Sequence, residues 1–138
     1  MFTKTNLIST IVTAIWGLMG GYLLWGILAD SFLNSHLGTA AGVGREMPEW
    51  GLLALGCLIQ AFVFSSIFRH WGPNSYTTSD GLKFGILIGV LVGLGNELIN
   101  HATTNIFDMT GALVNGLIYI LFFAVMGFLT GLIYNKVK

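Results

Sequence analysis

The chain has 138 residues, of which 54% are hydrophobic and 9% are charged, and its formal net charge is zero. A soluble domain carries roughly 25% charged residues, and a water-soluble fold of this size could not bury so much apolar surface. The composition also excludes a nucleic-acid-binding patch and a charged disordered tail. We therefore expect a single domain that lies in a membrane.

Four apolar stretches are long enough to cross a bilayer, which takes about 20 helical residues. They cover about residues 7–28, 50–68, 84–105 and 110–134. The first stretch is too long for a signal peptide, and it lacks a convincing cleavage site. The predicted fold class is therefore all-α: one integral-membrane four-helix bundle over residues 1–138.

The basic residues predict how this bundle is oriented. Five of the six fall on one side of the predicted membrane: Lys4, Arg69, Lys83, Lys136 and Lys138. Only Arg45 falls on the other side. The positive-inside rule then places both termini in the cytoplasm and the loop 29–49 outside.

The three links differ in character. The outer loop, residues 29–49, contains Phe32, Leu33 and Leu37, which predict a short helix at the membrane surface. The second link, RHWGPNSYTTSD, is rich in turn-forming residues. The third link, around residues 106–109, is so short that the third and fourth helices must be antiparallel neighbours.

Small residues recur at helical spacing in all four predicted helices. Lipid gives helices little hydrophobic reason to associate, so close backbone approach through small side chains matters. We expect glycine-rich close packing, with the third helix at the centre of the bundle. The glycines expected to pack are Gly17, Gly21, Gly81, Gly85, Gly89, Gly93, Gly127 and Gly131.

The segment GNELINHATTNIFD interrupts the third helix with polar residues. Glu97 and His101 continue the four-residue row of glycines that begins at Gly81, so both should face the protein rather than lipid. Glu97 lies about 12 Å below the outer end of the span. A charge near the bilayer centre costs about 2.5–3.5 kcal/mol, so Glu97 should be protonated or paired, with His101 as the expected partner.

Together with residues at similar depth on the other helices, this stripe predicts a polar pocket open to the outside. The pocket residues are Glu97, His101, Asn96, Asn100, Thr104, Asn115, Tyr119, Gln60 and Tyr22. The alternative is that the same side chains act as hydrogen-bonded glue between helices.

Fewer residues support metal binding or catalysis than support a polar pocket. Glu97, His101 and Asp108 form an incomplete ligand set, because zinc takes three or four protein ligands. His36 and His70 lie on opposite sides of the predicted membrane, and only His36 could fold towards the set. No serine or cysteine has an evident base beside it, and no phosphate-binding loop occurs. We expect no enzyme activity and no cofactor.

Three stretches resemble those of a group of small bacterial four-helix membrane proteins of unknown function. These are GGYLLWGILADSF, MPEWGLLALGCLIQAFVFSSIFRHWG and GLKFGILIG with HATTNIFDMTGALV. The resemblance implies a bacterial cytoplasmic-membrane protein with four helices, and it supplies no activity or catalytic residue.

Two functional hypotheses follow. The first is a binding or transport protein whose pocket takes a small polar ligand, an ion or a proton. The second is an accessory or scaffolding subunit of a larger membrane complex. Expected partners are the lipid bilayer and either further copies of the chain or another membrane protein, with no nucleic acid.

Overall fold

The computed structural model describes residues 2–72 and 76–137. Within them lie four long apolar helices, which we call spans 1 to 4: Lys4–Leu28, Trp50–Trp71, Thr78–Thr103 and Met109–Lys136. Even the shortest, with 22 residues, rises about 33 Å and can cross a bilayer core of about 30 Å. The all-α, four-helix architecture predicted from the sequence is confirmed.

Spans 1 and 3 are not uniform α-helices. Span 1 consists of α1 (Lys4–Gly21) and a π-helical segment, Tyr22–Leu28. Span 3 consists of α4 (Thr78–Gly89), a second π-helical segment, Val90–Gly95, and α5 (Asn96–Thr103). Spans 2 and 4 are α3 and α6, and α2 is a six-residue helix, Asp30–Ser35, in the loop after span 1. π-helical turns are rare in proteins, and those that are found often lie at functional sites.

Span 4 lies at the centre of the bundle, which corrects the expectation for span 3. Span 4 packs along span 3 and also against span 1, whereas span 2 packs mainly against span 1. The glycine row of span 3 occupies one face only, so it admits one very close neighbour. The opposite side of span 3 carries exposed residues such as Leu87 and Leu91.

The glycines of span 3 meet the backbone of span 4 directly. A Cβ at Gly81 or Gly85 would overlap the carbonyl oxygen of Gly127 or Phe123. At Gly89 and Gly93 it would lie 2.6 Å from Ile120 Cα and Tyr119 Cβ. The other predicted glycines differ from one another. Gly127 and Gly131 face span 3 and Gly17 faces Cys57, whereas a Cβ at Gly21 would meet no atom of the described residues within 4 Å. The predicted packing role of Gly21 is therefore wrong.

Two chain segments close the end of the bundle opposite the termini, which we call the loop end. Backbone hydrogen bonds join the loop after α2 to the link between spans 3 and 4. Gly38 N donates to Ile106 O at 2.8 Å, Ala40 N to Asn105 O at 3.0 Å, and Asp108 N to His36 O at 2.9 Å. The loop therefore lies across the ends of spans 3 and 4, while residues 39–50 are all exposed.

Candidate functional site

Glu97 is the one carboxylic acid that the described structure buries inside a span. It is 7% exposed and lies in the first turn of α5, directly after the π-helical segment Val90–Gly95. It precedes the end of span 3, Thr103, by six residues, or about 9 Å. Because it continues the four-residue row of glycines that face span 4, its side chain is directed into the bundle, as the sequence predicted.

The register between spans 3 and 4 identifies the neighbours of Glu97. Gly93 lies against Tyr119 and Gly116. One turn along span 3 from Gly93 is Glu97, and one turn back along the antiparallel span 4 from Tyr119 is Asn115. Asn115 is 6% exposed, and Glu97 is close enough to Tyr119 for the two to interact electrostatically.

Trp25, in the π-helical segment of span 1, completes this site. Its indole Nε1 donates a hydrogen bond of 2.7 Å to Asn115 Oδ1. Its ring also contacts those of Tyr119 and Phe122, with centroids 4.7 and 5.4 Å away. Trp25 was not among the pocket residues predicted from the sequence. The site therefore lies where both π-helical segments border span 4.

The polar groups of this site are left with unused hydrogen-bonding capacity. Within residues 2–72 and 76–137, no side chain or backbone group forms a hydrogen bond or ion pair with the Glu97 carboxyl. Neither Asn115 Nδ2 nor Tyr119 Oη has a hydrogen-bond partner among these residues. These three groups, at adjoining levels of the bundle, therefore remain available to a molecule that enters the site.

The predicted pairing of Glu97 with His101 is wrong. His101 is half-buried, and its Nδ1 lies 3.2 Å from the carbonyl oxygen of Phe107. The link between spans 3 and 4 folds back over the helix end and brings this carbonyl to the imidazole. A glutamate and a histidine four residues apart on a helix suggest a side-chain pair. Here the histidine is instead within hydrogen-bonding distance of a backbone carbonyl oxygen.

Five other predicted pocket residues are not among the groups that form the site. Asn96 and Thr104 are exposed, and the Thr104 hydroxyl donates to the backbone oxygen of Asn100 at 2.7 Å. Asn100 itself is half-buried. Tyr22 is 63% exposed, on the outward face of the π-helical segment, and Gln60 is also exposed. Tyr22 borders a cleft of about 320 Å³ between spans 1 and 2, whereas Gln60 borders an apolar groove of about 380 Å³ between spans 2 and 3.

The three metal candidates do not form a site. His36 does fold down from the loop, but it bonds to Asp108, with 2.8 Å between Nδ1 and Oδ2. Asp108 also accepts a 2.7 Å hydrogen bond from Gly111 N, and Glu97 and His101 have the separate surroundings described above. In the part of the chain that the structure describes, no three His, Cys, Asp or Glu side chains are grouped to hold a metal ion.

Sequence reasoning missed a second polar cluster, near the end of the bundle that carries the termini. All its members are buried: Asn6, Ser9, Thr10, Thr13, Ser65, Ser66, Thr130 and Tyr134. The Tyr134 hydroxyl donates to Asn6 Oδ1 at 3.2 Å, and Asn6 Nδ2 donates to Ser66 Oγ at 3.1 Å. A signal was present, because Asn6, Ser9, Thr10 and Thr13 share one helical face.

The chain matches no protein-family model, no curated protein and no solved structure. A function for the site must therefore come from its geometry and chemistry.

Proposed function

We propose that this is a small binding or transport protein of a bacterial cytoplasmic membrane, in which Glu97 takes up and releases a proton or a small hydrogen-bonding ligand. The observation that carries the proposal is the burial of the Glu97 carboxyl in a membrane span without a described partner. Ionisable residues inside membrane spans commonly serve ion and substrate pathways or proton relays.

The chemistry of the site supports this role. A carboxylate left unpaired in the span would cost about 2.5–3.5 kcal/mol, so the group must hold a proton or meet a donor or cation. The carboxyl oxygens also keep some accessible surface. Ser9 Oγ alone among the described side-chain polar atoms is both fully enclosed and unbonded, whereas the Glu97 oxygens are unbonded but not fully enclosed.

The neighbouring groups can orient what Glu97 binds. Asn115 has its amide oxygen occupied by Trp25, so its amide N–H groups remain as donors, and Tyr119 Oη can donate or accept. A small polar ligand could therefore contact the carboxyl, the amide and the phenol together. The glue hypothesis instead requires Glu97 to bond to a neighbouring helix, and no such bond occurs among the described residues.

The first experiment compares Glu97→Gln with the wild-type protein in proteoliposomes. With a pH gradient imposed across the membrane, we expect the wild type to dissipate the gradient faster than empty liposomes, and Glu97→Gln to fall to the empty-liposome rate. Infrared difference spectra between acid and alkaline pH should show a protonated-carboxyl band that disappears in Glu97→Gln.

Glu46→Gln is the matched control, because Glu46 is an exposed acid in the loop. It should leave both the flux and the infrared band unchanged. If Glu97→Gln keeps wild-type flux and the same infrared band, the proposed role of Glu97 is wrong.

The exposed loop favours the accessory-subunit hypothesis as a second candidate. Residues 39–50 are all exposed, and they include Val43 and Met47 at 56% and 73% exposure. Exposed apolar side chains that form a contiguous patch outside the spans would mark a contact with another protein. A partner that co-purifies in mild detergent and is lost in Met47→Asp, with no flux by the wild type, would favour this candidate over the first.

A further inference from the structure

The polar cluster near the termini contains a layer of hydroxyl groups one turn deeper than its hydrogen-bonded network. The network joins three spans, because Tyr134 of span 4 bonds to Asn6 of span 1 and to Ser65 of span 2. One turn from these residues towards the bundle centre are Thr10, Thr130 and Ala61. Ala61 and Thr130 are 0% exposed and Thr10 is 8% exposed. Three spans therefore meet here through small or hydroxyl-bearing side chains.

Ser9 lies at the same level and is the exception in this layer. It is 0% exposed, and its Oγ has no hydrogen-bond partner among the described residues. It lies five residues into span 1, which begins at Lys4, or about 8 Å from the helix start. A fully buried hydroxyl without a partner is costly, and sites of this kind are commonly satisfied by an internal water molecule.

The threonine hydroxyls of this cluster are able to accept hydrogen bonds. Thr10 Oγ1 donates to Asn6 O at 2.8 Å, Thr13 Oγ1 to Ser9 O at 2.7 Å, and Thr130 Oγ1 to Met126 O at 2.9 Å. Each threonine hydroxyl thus donates its hydrogen to a backbone oxygen of its own helix, and the lone pairs of its oxygen can still accept a hydrogen bond. The layer consequently offers acceptors to a molecule that can donate two hydrogen bonds and also accept one from Ser9.

We infer that this layer binds water at Ser9 and forms the termini-side end of the route by which protons reach Glu97. The second half of this inference rests on the proposed function of Glu97. The two polar regions are separated by buried Phe122, Phe123 and Met126, and Trp16 Nε1 bonds to Phe122 O at 3.0 Å across this apolar layer. Protons would therefore enter from both ends but cross only when the apolar layer rearranges.

Water-edited solid-state NMR of the protein in liposomes tests the site without relying on transport. We expect magnetisation transfer from water to the Cβ of Ser9, at rates well above those of buried apolar side chains such as Met126. Equal, slow transfer to both would show a dry layer and overturn the water site.

The variant Ser9→Ala distinguishes a Ser9 hydroxyl that binds water from one that has no bonding partner at all. If water binds, the variant should lose the water signal at Thr13 and Thr130, and its proton flux should fall several-fold. If the site is dry, removing an unbonded buried hydroxyl should raise the melting temperature and leave flux unchanged, which would overturn the inference. The control Ser31→Ala, exposed in the loop, should change neither quantity.

The failures of the two proposals are distinguishable. A clear water signal at Ser9 with no wild-type flux would overturn the proton route together with the transport role of Glu97. Flux that depends on Glu97 but not on Ser9 would overturn the route proposed here and leave the role of Glu97 intact.

Discussion

Asp108 combines two structural tasks in one side chain at the loop end. As the N-cap of span 4 it accepts a hydrogen bond from Gly111 N, and it also bonds to His36 of the loop. The hydrogen bond from the Gly111 backbone, followed by that from the His36 side chain, lowers the pKa of the Asp108 carboxyl below its usual value. The start of span 4 is thereby coupled to the position of the loop.

Asp108→Asn should lower the melting temperature in detergent at neutral pH, because the neutral amide is a weaker acceptor for both donors. A carboxyl whose pKa is lowered by folding stabilises the protein above its unfolded pKa, and this stabilisation is lost as pH falls through the folded pKa. The difference in melting temperature between wild type and variant should therefore be present at pH 7 and disappear as the pH falls below about 4.

Asp30→Asn is the control for this pH series. Asp30 is exposed and, among the described residues, accepts a hydrogen bond only from Asn34, on its own helix, so its substitution should have little effect at any pH. A difference in melting temperature for Asp108→Asn that persists undiminished well below pH 4 would contradict the argument.

At single residues, the sequence predicted the burial of Glu97 but not its surroundings. Glu97 was expected inside because it extends the row of Gly81, Gly85, Gly89 and Gly93, and it is buried there. Its expected partner His101 is instead near Phe107 O, since the fold of a short link cannot be read from helical spacing. Trp25 was missed because its role depends on span 1 being adjacent to Asn115.

At the scale of elements, the contact between spans 3 and 4 depends on the absence of side chains. Gly85→Ala would place a Cβ against Phe123 O and the Cα of Ala124, neither of which can move without displacing the helix. We expect the variant to lose about 1–3 kcal/mol of stability, as for overpacked interiors. Thermal melting and the SDS concentration needed for unfolding would measure this loss.

Gly56→Ala is the matched control within span 2, because a Cβ there meets nothing within 4 Å. Alanine is the better helix former by about 1 kcal/mol, so this variant should be as stable as the wild type or more so. Equal stability of both variants would show that the close approach at Gly85 contributes nothing.

The bounds of the spans could be predicted from the sequence, but their π-helical segments could not. Hydrophobic length predicted spans 1 and 3 to within a few residues at most ends, although span 3 begins at Thr78 rather than near residue 84. This earlier start comes from the capping box between Thr77 and Asp80. The π-helical turns at Tyr22–Leu28 and Val90–Gly95 leave the composition apolar and glycine-rich, so hydrophobic patterning could not reveal them.

For the whole molecule, hydropathy predicts the number of spans but not their arrangement. Glycines occur in all four spans, so several helices were plausible centres. Span 4 occupies the centre because it has small or polar buried residues on two sides. Gly127 and Gly131 face span 3, while Tyr134 bonds to Asn6 of span 1 and Ser65 of span 2. Only the three-dimensional contacts distinguish this two-sided pattern from the one-sided row of span 3.

The distribution of charge over the folded molecule leads to a prediction of its orientation. Lys4, Arg69, Lys83 and Lys136 lie at the end that carries the termini, whereas Arg45 lies in the loop and pairs with Glu49. Basic residues are retained on the cytoplasmic side, so the loop end, nearer to Glu97, should face outward.

Cysteine labelling in intact cells measures this orientation directly. In a Cys57→Ala background, Val43→Cys at the exposed loop should react with a membrane-impermeant maleimide in intact cells. Ser79→Cys, exposed at the end with the termini, should react only after the cells are permeabilised. The reverse pattern would place the loop in the cytoplasm, and Glu97 would then exchange protons or ligand with the cell interior rather than with the outside.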